Sequence, residues 1–89
     1  MWFGPPDPRC EEIKQRIRHI LEVSRLIDNR IRELEHYKAR LITQLEWDPN
    51  ARFILSQIEA EIAELKFKKS ELERERYVLT LQLQRLRCL

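Results

Sequence analysis

The chain has 89 residues, of which 36% are charged and 43% hydrophobic, and its formal net charge is +2. This length allows one domain at most, and the single glycine excludes a Gly-rich phosphate-binding loop. The near balance of 17 basic and 15 acidic residues excludes a strongly cationic field. Disorder, the usual alternative for so charged a chain, is excluded because the hydrophobic residues follow a strict period.

Residues 1–7 are predicted to form an extended N-terminal arm. Trp2 and Phe3 on this arm either dock on the open end of the helical structure that follows or belong to a frayed terminus. The first residues lack the basic and apolar regions of a secretory signal, and no run of about 18 apolar residues is present. We therefore expect no membrane span and a cytoplasmic location.

A first helix is predicted over residues 8–46. Asp7 is expected to cap its N-terminus, and Pro8 suits the first helical position because that residue needs no N–H partner. Apolar residues then alternate at spacings of three and four, which is the 3.5-residue period of a coiled coil. This seam consists of Cys10, Ile13, Ile17, Ile20, Ser24, Ile27, Ile31, Leu34, Lys38, Leu41 and Leu45.

A second helix is predicted over residues 49–87, after a turn at residues 47–48. Asp48 and Pro49 repeat the arrangement of Asp7 and Pro8. The same period continues through Ala51, Leu55, Ile58, Ile62, Leu65, Lys69, Leu72, Arg76, Leu79, Leu83 and Leu86. Because the turn is so short, the fold class is expected to be all-α, an antiparallel two-helix coiled-coil hairpin.

The register of the hairpin is predicted by its turn: facing seam residues have numbers that sum to about 96, as Leu34 and Ile62 do. Four polar residues interrupt the seam, and we expect them to set the register and the oligomer state at some cost in stability. They are Ser24, Lys38, Lys69 and Arg76.

Two acidic residues are expected beside the seam lysines. Asp28 lies one residue from the level of Lys69, and Glu59 lies one residue from the level of Lys38. Acid-first pairs four residues apart on one helix, such as Glu12 with Arg16, are expected to add surface ion pairs.

The side of the second helix that faces away from the first carries a second stripe of small and aromatic residues, again spaced three and four apart. Its members are Phe53, Ser56, Ala60, Ala63, Phe67, Ser70, Tyr77 and Leu81, with Arg74 between Ser70 and Tyr77. The stripe predicts a second interface, most simply with the same helix of another copy, giving a dimeric four-helix bundle. A protein partner on this face and scattered surface aromatics are the other two interpretations.

A nucleic-acid-binding face is the alternative function. Basic and aromatic residues are interleaved along the second helix, and this combination holds phosphates and stacks bases. The residues are Arg52, Phe53, Gln57, Lys66, Phe67 and Lys68. Several glutamates crowd the same helix, and they weaken this signal.

The run Ala51-Arg52-Phe53-Ile54, followed by Ser56-Gln57, resembles the ARFI-x-SQ stretch of Rop-type proteins. These are small helical hairpins that dimerise into four-helix bundles and bind paired RNA loops. The resemblance implies a core position for Ala51 and RNA-face positions for Phe53 and Gln57. It lies in the second helix here rather than the first, and Glu64 stands where the family has a basic RNA contact.

Cys10 and Cys88 are the residues with a spatial relationship that bears on chemistry, since an antiparallel hairpin brings its two ends together. A disulfide between them is one interpretation. The other is a small buried thiol at Cys10, which is favoured because helix axes lie about 8–10 Å apart while bridged Cα atoms lie within about 7 Å.

Catalytic chemistry is not predicted. His19 and His36 are 17 residues apart on one helix, so one chain cannot use both on a single metal ion. Long solvated helices also offer no enclosed pocket. We therefore expect a non-enzymatic protein without cofactors, a structural or adaptor module that acts through helix–helix contacts.

Overall fold

The computed structural model describes residues 7–88, and these form two antiparallel α-helices without a strand. Helix α1 spans Pro8–Ile42 and helix α2 spans Pro49–Arg85. The Cα positions extend over 75 × 15 × 13 Å, as expected for two long helices that lie side by side. The predicted all-α hairpin is confirmed. The predictions for Trp2 and Phe3 lie outside the described residues.

Both predicted helix starts are confirmed. The Asp7 carboxylate accepts a hydrogen bond from the backbone N–H of Arg9 at 2.9 Å, and the Asp48 carboxylate accepts one from the backbone N–H of Asn50 at 3.0 Å. In each case a proline follows the capping aspartate. The two helices therefore begin with the same satisfied arrangement of N–H groups.

The core follows the predicted seams. The buried residues of α1 are Ile20, Ile27, Leu34 and Leu41, which recur every seven residues. Those of α2 are Ala51, Ile58, Ile62 and Leu83. A period of seven keeps each helix turned towards the other along its whole length. Most of these residues form one cluster next to the turn, against which Ile31, Leu45, Ile54 and Leu65 pack.

Helix α1 ends at Ile42 rather than near residue 46, so the connection covers residues 43–48 and not 47–48 alone. The Thr43 hydroxyl donates to the carbonyl of Arg40 at 2.7 Å, and the next two N–H groups bond to carbonyls three residues back. Such bonds tighten the chain beyond α-helical geometry. Leu45 keeps its predicted contact with the core despite lying outside the helix.

Helix α2 ends at Arg85 rather than near residue 87. The N–H of Cys88 bonds to the Leu83 carbonyl at 2.9 Å, and the N–H of Arg87 bonds to the Gln84 carbonyl at 3.1 Å. This pair of bonds defines a Schellman motif, in which the residue after the cap adopts the left-handed conformation. Arg87 does so, with φ 58°.

The preference for a free thiol at Cys10 is wrong: Cys10 and Cys88 are joined by a disulfide, with Cα atoms 5.8 Å apart. That preference rested on the distance between helix axes, with the second helix predicted to continue to residue 87. The reversal at Arg87 instead brings Cys88 back towards α1. The bond spans 78 residues, so it links the two ends of nearly the whole chain.

Replacing Cys10 by Ser, or reducing the wild-type protein, is expected to lower the free energy of unfolding by about 4 kcal/mol, because the unfolded chain is no longer a closed loop. Urea unfolding followed by circular dichroism measures this difference. The Cys10→Ser variant is the control, since its midpoint must not respond to reductant. An oxidised wild-type midpoint that does not move on reduction contradicts the bridge.

Candidate interaction face of the second helix

The outer face of α2, defined by Phe53, Ser56, Ala60, Ala63, Phe67, Ser70, Tyr77 and Leu81, lies on the side away from α1. All of these residues are exposed except Leu81, which is half-buried. The aromatic side chains leave the most surface uncovered, with exposed fractions of 64% for Phe53, 66% for Phe67 and 65% for Tyr77. Val78 beside them is also exposed. The hairpin therefore leaves a stripe of small and aromatic residues in contact with solvent, interrupted by the exposed Arg74.

Helix α1 carries no equivalent stripe among the described residues. Its exposed apolar residues are Leu21, Leu26, Tyr37 and Ile42. Leu26 and Tyr37 lie on nearly the same side of the helix, whereas Leu21 and Ile42 lie at other angles, so the four residues form no stripe. Scattered exposed apolar residues are normal on soluble proteins, whereas a periodic stripe is not. Helix α1 therefore has one apolar side, and helix α2 has two.

Charged residues alternate along one edge of the outer face. Arg52, Glu59, Lys66 and Glu73 recur every seven residues, so they lie in one row with signs that alternate. Within the described chain, Arg52 and Lys66 form no ion pair. Glu59 and Glu73 make only long contacts, at 3.7 Å to Lys38 and 3.9 Å to Lys69. This row is available to a partner.

The opposite edge of the outer face is acidic. It consists of Gln57, Glu64 and Glu71, which are all exposed. Neither glutamate forms an ion pair with another described residue. The face therefore has one edge of mixed charge and one edge of negative charge.

The polar seam residues contact their predicted neighbours. The Lys69 ammonium donates to the Asp28 carboxylate at 2.6 Å, and the Lys38 ammonium lies 3.7 Å from the Glu59 carboxylate. Both expected pairs are confirmed, and the hydrogen bond from Lys69 to Asp28 raises the pKa of Lys69. Ser24 is half-buried, whereas Arg76 is exposed. Their part in setting the register stays a prediction.

Two interhelical ion pairs were not predicted from the sequence. The Arg16 guanidinium donates to both oxygens of Glu75 at 2.9 Å, and the Arg30 guanidinium donates to Glu61 at 3.2 Å. The bond to Arg16 lowers the pKa of Glu75. All four residues flank the seams at heptad positions that face each other. These positions could have been used to predict the two ion pairs from the sequence.

The expected pair of Glu12 with Arg16 is not formed, because Arg16 binds Glu75 on the other helix. Asp28 likewise binds Lys69 of α2 rather than Arg32, which lies one turn further along α1. A charged residue at the edge of the seam can reach opposite charges on the other helix as well as on its own. Spacing along one helix is therefore not sufficient to predict its ion pair.

The residues of the alternative nucleic-acid face are all accessible. Arg52, Phe53, Gln57, Lys66, Phe67 and Lys68 are exposed along α2. The acidic edge at Glu64 and Glu71 is equally exposed and lies beside them. The described surface of this helix is therefore mixed in sign rather than basic.

Other sites are few within residues 7–88. A groove of about 380 Å³ lies at the open end, lined by Arg9, Glu12, Ile13, Gln82, Arg85 and Leu86. No three metal-ligating side chains come together in this part of the chain. Neither α1 nor α2 contains a stretch long and apolar enough to cross a bilayer.

Comparison of the chain with protein-family models, with curated proteins and with solved structures finds no match in any of the three. The resemblance to Rop-type hairpins therefore stays a prediction. Ala51, for which it implies a core position, is fully buried, and Phe53 and Gln57 are exposed.

Replacing both Lys38 and Lys69 by Leu is expected to raise the melting temperature by several degrees, because leucines extend the apolar seam. The same change is expected to broaden the distribution of assembly states, since neither lysine then penalises a shifted register. Thermal unfolding and sedimentation velocity measure the two effects. A single sharp species in the double variant contradicts a register-setting role.

Acid is expected to weaken the hairpin in part through Glu75. Because its pKa is lowered in the folded state, its contribution is fully present above its unfolded pKa of about 4.3 and is lost as the pH falls through the lower folded value. The stability difference between wild type and Glu75→Gln should therefore shrink from pH 6 to pH 2. Glu12→Gln, which removes no ion pair, is the control. A difference that does not change with pH contradicts the assignment.

Proposed function

We propose that the protein is a non-enzymatic structural or adaptor module that works by self-association, most simply as a dimer through the outer face of α2. The observation that carries the proposal is the periodic exposed stripe of small and aromatic residues on a helix whose other side is already packed against α1. Large exposed apolar patches with a polar rim are typical of protein interaction sites.

The area of the outer face supports a dimer. An aromatic side chain buries about 150–250 Å², so the exposed two thirds of Phe53, Phe67 and Tyr77 supply about 300–500 Å² per copy. Two copies supply roughly half of the ~1,600 Å² that a standard stable interface buries. The rest is available from the small residues, Val78 and Leu81, along a stripe about 42 Å long.

The small residues of the outer face favour a helix as the occupant. Ser56, Ala60, Ala63 and Ser70 carry little side chain, so another helix can approach the backbone closely between the aromatic residues. A hairpin that pairs with a second hairpin in this way becomes a four-helix bundle. The bundle would cover the apolar stripe that a single hairpin leaves exposed.

Nucleic-acid binding is the second candidate function. Arg52, Lys66 and Lys68 are exposed without an ion pair in the described chain, next to Phe53 and Phe67. Cations of this kind hold phosphates, and exposed aromatic rings stack bases. The negative edge at Glu64 and Glu71 repels a phosphate backbone, which places this candidate second.

A cytoplasmic location is part of the proposal. The thiol pool of that compartment keeps cysteines reduced, so the hairpin would work there without its Cys10–Cys88 bond, whereas an oxidising compartment would preserve it. The outer face runs along α2 from Phe53 to Leu81, and neither cysteine belongs to it. Self-association is therefore expected in both redox states.

Replacing Phe67 by Glu is expected to convert the dimer to a monomer, because it puts a charge in the middle of the outer face. Light scattering on a sizing column, under reducing and oxidising conditions, measures the mass. Leu26→Glu is the matched control, since Leu26 is a large exposed apolar residue of α1. Circular dichroism verifies that both variants keep their helices.

A wild-type monomer of 10.9 kDa contradicts self-association. The same samples are titrated with a fluorescent RNA duplex. Binding that is lost in Phe67→Glu and in Lys66→Ala/Lys68→Ala, by a protein that stays monomeric, supports the second candidate instead.

A further inference from the structure

We propose that the second copy docks on the outer face of α2 in an antiparallel orientation, aligned by the charged row Arg52, Glu59, Lys66 and Glu73. This inference rests on the proposed self-association and specifies its geometry. It places Arg52 of one copy beside Glu73 of the other, and Glu59 beside Lys66. Two-fold symmetry repeats both contacts, so one interface holds four ion pairs.

The alternation of charge makes the row self-complementary in reverse. Arg52 with Glu73 and Glu59 with Lys66 have the same sum of residue numbers, 125, so a single antiparallel alignment forms both pairs together. Sliding the second copy by one heptad sets like charges against each other. Arg52 and Lys66 have no competing ion pair in the described chain, and the contacts of Glu59 and Glu73 are long.

A parallel arrangement lacks this complementarity. In parallel helices the two flanking edges face each other, so the charged row of one copy would meet the acidic edge of the other. Glu59 would then lie beside Glu64, and Arg52 would meet the uncharged Gln57. Only Lys66 would find an opposite charge, at Glu71.

The ion pairs inside the hairpin indicate the axial offset between such pairs and the facing residues of the seam. Its two arginine–glutamate pairs between α1 and α2, Arg16 with Glu75 and Arg30 with Glu61, both have residue numbers that sum to 91. This is five less than the sum of 96 that describes the facing seam residues of the same hairpin. Both arginine–glutamate pairs are thus displaced by five residues from the predicted layers of the seam that they flank.

Applying the same offset to the proposed interface places its layers where the residue numbers sum to 130. Phe53 then faces Tyr77, and Phe67 faces Ala63. The first layer pairs two aromatic rings, and the second seats a large ring against a small side chain, which close packing favours. Charge and size are therefore satisfied by one alignment.

The acidic edge opposes association in this geometry. Glu64 and Glu71 of both copies come together around the two-fold axis, and like charges at such spacing repel. The four ion pairs on the other edge and the apolar stripe must outweigh this repulsion. The expected result is a specific but reversible dimer.

The test uses two reciprocal charge variants of the full chain. The acidic variant carries Arg52→Glu and Lys66→Glu, and the basic variant carries Glu59→Lys and Glu73→Lys. Each variant alone sets like charges together at four contacts, and we expect its dimer to weaken by about 30-fold or more in sedimentation equilibrium. An equimolar mixture makes all four contacts attractive, so it should form a heterodimer at least as tight as the wild-type dimer.

The matched control is Glu12→Lys/Glu35→Lys, which has the net charge of the basic variant but carries the changes on α1. It should dimerise like the wild type and should not rescue the acidic variant, which excludes rescue by overall charge. A dimeric wild type with variants that stay dimeric, or that fail to rescue each other, overturns the antiparallel alignment while self-association stands. A wild type that is monomeric at 100 μM overturns the proposed function itself.

Discussion

The structure depends on the fact that each of the two described helices packs against one other helix, which can cover only one of its sides. The seam of α1 and α2 buries Ile20, Ile27, Leu34 and Leu41 against residues such as Ile58 and Ile62. This burial satisfies α1, whose apolar residues are concentrated on that stripe. It leaves α2 with its second apolar side in water, because residues 7–88 form no third layer and the Cα positions span 15 × 13 Å across the helices. The outer face is therefore a consequence of how apolar residues are divided between the helices.

The two ends of the hairpin are held by different means. Next to the turn, the densest part of the core lies beside the capped start of α2, so packing and capping act together. At the open end the core is sparser, with Leu83 as the buried residue of α2 nearest the terminus. The disulfide joins the chain there, and it requires Arg87 in a left-handed conformation that costs a non-glycine residue about 1 kcal/mol. The covalent bond offsets this cost at the place where packing is weakest.

The heptad pattern was sufficient to predict the fold class, the seams and the contacts of Lys38 and Lys69 with their acidic neighbours, and the two Asp-Pro pairs predicted the caps. It was insufficient at the helix ends. The stop at Ile42 depends on competition between the Thr43 hydroxyl and the helical hydrogen bonds, and the stop at Arg85 depends on one residue that accepts a positive φ without being glycine. The disulfide followed from that second detail, so the pattern alone placed Cys88 wrongly. The pattern did identify the outer face, because the exposure of its residues follows from the same period. The partner that covers this face is not part of the chain and could not be predicted from the pattern.

The outer face differs from the seam in a way that bears on how each works. The seam between α1 and α2 brings together two different sequences joined by a short turn, so their orientation is set by the connection. A dimer has no such connection, and its orientation must come from the contact surface itself. Apolar stripes alone do not distinguish parallel from antiparallel docking, since burial has no direction. The row of alternating charges does have a direction. It reads Arg52, Glu59, Lys66 and Glu73, and in the reverse order every position carries the opposite charge. Charges that contribute little to stability at a surface can still decide which of two arrangements forms.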